Sequence, residues 1–176
     1  MTLHLQKLAL LACAALLVAG LSACGGSSKK SSSTKPAATT ASSSERSEAK
    51  AAVAPWHAQL AKVKRAFARY GVDEPAHVRQ HNRLGERRDA YNLRNGVYRF
   101  DLAVRKVKFP ASMQSDVNAL LDGTKKLVAA LDGMSQSSKV ADINKYIRQS
   151  NAINLSPLAR TIDQDLGRLS GVAVAK

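Results

Sequence analysis

The chain has 176 residues, a length that suits one ordinary domain plus an extension. With 45% apolar but only 5% aromatic residues, and with Ala, Leu, Lys and Arg abundant, the composition argues for helices and against a strand-built sandwich or barrel. The formal charge of +14 points toward anionic partners, and because both cysteines, Cys13 and Cys24, lie near the N-terminus, a disulfide framework for the rest of the chain is excluded.

The first element is a short polar start, Met1 to Lys7, followed by the uninterrupted apolar run LALLACAALLVAGL, Leu8 to Leu21. This layout is that of an export signal, and the run is shorter than the roughly 20 residues a membrane span requires. It ends on Leu21-Ser22-Ala23-Cys24, which resembles the lipobox of bacterial prolipoproteins at every position. The resemblance implies a diacylglyceryl group on the Cys24 thiol and cleavage before Cys24. It also implies anchorage at the outer face of the cell membrane, or at the outer membrane where the organism has one. Two acyl chains are what stable attachment needs, at about 0.8 kcal/mol per buried methylene. A cysteine so modified has no thiol left for redox or metal chemistry.

Residues 24–50 carry no large apolar side chain after the cysteine, and their Ser, Thr, Ala and Lys read as a flexible tether. A coil of that length reaches about 30 Å. The folded domain is expected over residues 51–176.

In PWHAQLAKVKRAFARYG the residues Trp56, Leu60, Val63, Phe67 and Tyr70 step by four and three, the signature of one helical stripe. Pro55 suits its first turn and Gly71 its C-terminal cap. A second helical segment opens at Glu74-Pro75 and carries Leu93, Val97, Phe100, Val104 and Val107 before Pro110. Gly85 is a candidate break between its entry turn and its main body.

A third helix repeats the stepping through Met113, Val117, Leu120, Thr124, Leu127 and Leu131, with Gly133 at its end. A fourth segment begins near Ser138, holds Val140, Ile143 and Ile147, and restarts or kinks at Ser156-Pro157, where serine suits the N-cap and proline the first turn. Its second part carries Leu158, Ile162, Leu166 and Leu169. The expected fold is therefore all-α, an antiparallel four-helix bundle of up-down-up-down order. Lipobox, tether and small helical domain together, with phrases such as VKFPASMQSDVNALL, resemble extracytoplasmic lipoproteins of actinobacteria, a likeness that implies a fold and no particular activity.

Two groups of residues in the domain bear chemistry. Glu74, His77 and His81 would project from one side of a helix, and the His77–His81 spacing of four lets two imidazoles share a metal, with His57 as a third ligand. The set lacks the glutamate of a His-Glu-x-x-His site, and Arg79 and Arg83 stand close by, so metal is an expectation of second rank and no other cofactor is implied.

The second helix places Arg88, Arg99 and Lys106 near one line, with Tyr91, Tyr98, Leu102 and Leu84 between that line and Arg87, Arg94 and Arg105. Residues 51–108 hold thirteen Lys/Arg against five Asp/Glu, whereas residues 109–176 hold eight against six. A basic face bordered by tyrosines suits an anionic polymer, lipid headgroups or an acidic partner protein. Nucleic acid is disfavoured for an exported chain without a binding motif. Phosphate-loop and nucleophile-elbow signatures are absent, and Asp163 and Asp165 point apart on a helix, so catalysis is not expected. The sequence reads as a membrane-anchored, non-enzymatic binding module of the cell envelope; a metal- or small-molecule-binding lipoprotein is the alternative.

Overall fold

The computed structural model describes residues 41–172, and these are helical without strands. The signal segment, Cys24 and most of the tether lie outside the described residues. Five α-helices follow one another: α1 (Ser43–Arg79), α2 (Arg83–Val104), α3 (Gln114–Gln136), α4 (Val140–Asn151) and α5 (Ser156–Ser170), with a 3-10 turn at Ala111–Met113.

The first helix starts eight residues before the expected domain boundary. Ser42 and Glu45 form a reciprocal capping box: the Ser42 hydroxyl accepts the Glu45 N–H at 3.1 Å, and the Glu45 carboxylate accepts the Ser42 N–H at 3.1 Å. Ala49 and Ala52 then enter the core, so the Ser/Ala composition taken for tether is here the small-residue face of a packed helix.

α1 also runs through Gly71 and Pro75, where the sequence suggested a cap and a new helix. A proline inside a helix removes one N–H and crowds the carbonyl four residues back. For Pro55 and Pro75 those carbonyls belong to Ala51 and Gly71, both exposed, so water can take the place of the missing donor. The real end is a turn at residues 80–82: His81 adopts φ 53°, and the Asn82 side chain caps α2 by accepting the Gly85 N–H at 3.0 Å. Gly85 breaks nothing. It packs against the His77 imidazole, whose atoms lie 2.5 Å from where a Cβ would stand.

The core is built where the stripes meet. Trp56 is fully buried, with Phe100 and Phe109 at ring-centroid distances of 6.0 Å each, and Val97, Val104, Met113, Leu120, Leu131, Ile162 and Leu166 complete the interior. α1 packs on α2, α2 on α3, and α5 on both α1 and α3, so four helices enclose the core; α4 packs on α3.

Close approach is secured by small residues. Gly96 of α2 faces Ala66 of α1, Gly133 lies under the Tyr146 ring of α4, and Gly123 under Leu155. Gly133 thus serves packing, and α3 continues past it to Gln136. The fourth segment is two separate helices. Asn151 ends α4, Leu155 caps α5, and Ser156 sits one position inside the helix, its N–H donating to the Asn154 side chain at 3.2 Å.

Candidate functional site

α2 separates its charges by face. Its inward stripe starts before Leu93: Glu86, Asp89, Leu93, Val97, Phe100 and Val104 step by three and four, and all are buried. Asp101 is buried too, bound by the Thr124 hydroxyl at 2.8 Å and by Arg105 through two hydrogen bonds of 2.7 and 3.2 Å. All three carboxylates of α2 therefore point into the protein.

The outward face has the opposite character. Leu84 and Leu102, eighteen residues and about five turns apart, lie on one line with Tyr91 and Tyr98. Their exposures are 76% for Leu84 in the first turn, 53% for Tyr91 and 43% for Tyr98 in the middle and 42% for Leu102 in the last turn, together an exposed apolar line. Arg87 and Arg94 border this line toward α3 and Arg88 and Arg99 border it on the other side, whereas Arg105 and Lys106, expected on the same helix, stand in the turn just past its end at Val104.

The two borders differ in how far they are engaged. Arg87 donates to the Ser135 carbonyl at 2.7 Å; Arg94 lies 3.4 Å from Asp132 and stands over the Tyr98 ring at 5.3 Å; Arg105 holds Asp101. Arg88, Arg99 and Lys106 make no ion pair or side-chain hydrogen bond among the described residues. Between the N-terminal half of α2 and the end of α3 an open groove of about 470 Å³ is lined by Leu84, Arg87, Arg88, Tyr91 and Gln136, with Asp132 as its one carboxylate.

The histidines lie in three separate settings. His57 Nε2 is 2.7 Å from Asp163 on α5, and the Trp56 indole N–H donates to the same oxygen at 3.2 Å. His77 Nδ1 is 2.5 Å from Asp89 on α2. Along one helix the twenty residues between His57 and His77 correspond to about 30 Å, too far to share an ion. Because α1 stops at Arg79 and His81 turns away with positive φ, the helical spacing that would join His77 to His81 is not present. Among the described residues no three His, Cys, Asp or Glu side chains converge as metal ligands.

Around His77 the structure instead gathers buried acids. Burial raises the Glu74 carboxyl above its ordinary value, and the Glu86 and Asp89 charges raise it further. Tyr70 is raised by the same causes, burial first and then Glu74. Arg83 neutralises one oxygen of Glu86 at 2.7 Å; the other is buried without a hydrogen-bond partner. This cluster was missed from sequence, although the inward stepping of Glu86 and Asp89 ahead of Leu93 is its signal.

No helix among the described residues is long and apolar enough to cross a membrane. Compared with family models, curated proteins and solved structures, the chain finds no match in any of the three.

Proposed function

We propose that this chain is a membrane-anchored extracytoplasmic lipoprotein and that its helical domain is a non-enzymatic interaction module. Its working surface is the outward face of α2, which engages an anionic component of the cell envelope. The anchor reading rests on Leu21-Ser22-Ala23-Cys24 and the apolar run before it. The observation that carries the binding reading is the charge separation on α2: its three carboxylates are inside, its five arginines point away from the core with Arg105 and Lys106 just past its end, and Arg88, Arg99 and Lys106 are without partners among the described residues. Burying acids among protein groups is costly, whereas an acid on the outside would solvate freely, so their placement is unfavourable for stability alone and leaves an outer surface of one sign.

The helix directions belong to the same reading. Along α1 and α2 His77 meets Asp89 and Ala66 meets Gly96, along α2 and α3 Arg87 meets Ser135 and Asp101 meets Thr124, and Gly133 lies under Tyr146 and Gly123 under Leu155, which supports α1, α2 and α3 running up, down and up, with α4 and α5 as two pieces of one descending fourth helix. Such a bundle leaves the face of α2 opposite its core stripe to the solvent.

Replacing Arg88 and Arg99 together by glutamate tests the surface. Both side chains are exposed, so helicity by circular dichroism should be unchanged, while capture of the envelope component from membrane extracts should fall roughly tenfold or more. Unaltered capture would exclude α2 as the working face.

A further inference from the structure

Resting on the α2 reading, we infer that its occupant is a helix of another protein, with an apolar seam flanked by Asp and Glu, docking lengthwise along α2. Tyr91, Asn95, Tyr98 and Leu102 step by four, three and four along the outer face, with Leu84 one heptad before Tyr91. That is the spacing of a helix–helix seam, written on a face that none of the described helices covers. The seam spans about 27 Å from Leu84 to Leu102, the length of a five-turn helix. Asn95 supplies the single polar position that sets register in such pairings.

The borders define the occupant's charge. A second copy of the chain would set Arg88, Arg99 and Lys106 against their own counterparts, a repulsion that argues against self-pairing. Residues 1–40 contain no Asp or Glu and carry Lys7, Lys29, Lys30 and Lys35, so the chain's own N-terminal stretch has the wrong sign.

A bilayer fits the relief poorly. Tyr91, Tyr98 and Leu102 are about half covered, and the exposed Arg88, Arg99 and Lys106 run along one side of them, so these apolar atoms form a floor beside a row of longer cationic side chains. Reaching acyl chains with that floor would drag the arginines along, whereas the side chains of a helix reach down to it. The groove beside Leu84 and Tyr91 is room for one such side chain.

Photocrosslinking in the cells that make the full chain tests this. Tyr98 and Leu102 are replaced in turn by p-benzoylphenylalanine, the cells are irradiated, and adducts are mapped by tandem mass spectrometry. The expected adduct is a protein segment with an apolar four-three pattern and flanking Asp or Glu, its yield falling about tenfold or more when Arg88→Glu and Arg99→Glu are combined with the label. Adducts to lipid, to a polymer, to a second copy of this chain or to a segment without that pattern overturn the helix while their charge dependence leaves the anion-binding face standing. Adducts indifferent to the charge reversals, or none at either position, overturn both.

Discussion

Glu74 shows what burial does to one side chain. Its folded-state pKa is raised above the ordinary 4.5 by burial and by Glu86 and Asp89, so between 4.5 and the raised value the folded chain holds more protons than the unfolded one. Stability from this group is therefore fully present at or below the ordinary value and declines as pH rises through that window. Glu74→Gln should stabilise the fold at neutral pH, raising the melting temperature, and flatten the decline above 4.5, as read from thermal unfolding across pH. A decline of unchanged slope would contradict its assignment to Glu74. None of this was legible while Glu74 was read as the opening of a second helix, on one side with His77 and His81, because partner identity depends on which turn of α1 faces α2. The same is true of His57 and His77, whose carboxylate partners, Asp163 and Asp89, come from other helices. The exposure of Arg88 and Arg99 was legible, since a side chain opposite a core stripe needs only helical geometry to be placed, whereas Lys106 lies in the turn past the end of α2.

At the scale of elements, the apolar stripes were the readable part. Trp56 and Val63, Leu93 to Val104, and Met113 to Leu131 are buried where the stepping put them. Boundaries were not readable, because glycine and proline signal local preference and tertiary packing outweighed it. α1 continues past Gly71 because its last two turns cover the buried acids of α2, a long-range reason invisible in a local window. The Ser42–Glu45 capping box was visible in the sequence and was masked by the surrounding Ser-rich composition. If α1 tolerates Pro75 at the expense of stability, Pro75→Ala should stabilise the domain, by about 1–3 kcal/mol in chemical denaturation. A loss of stability would show instead that the proline shapes the approach of α1 to the turn at residues 80–82.

At the scale of the molecule, an all-helical domain has its core closed by α1, α2, α3 and α5, with its proposed working surface on one helix and its proposed attachment in residues 1–24. Attachment is separable from the fold. Cys24→Ala should release the full chain from membrane fractions or leave it as the uncleaved precursor, with helicity of the domain unchanged; mature protein still sedimenting with membranes would contradict the lipid anchor. The acid-free outer face of α2 has a consequence of its own. In solution such a face cannot stand bare: it gathers a layer of small mobile anions, and a docking partner must displace them. Part of the driving force for the proposed docking would then be the freedom regained by those ions, so binding there would be firm in dilute surroundings and loosen as phosphate or chloride accumulates.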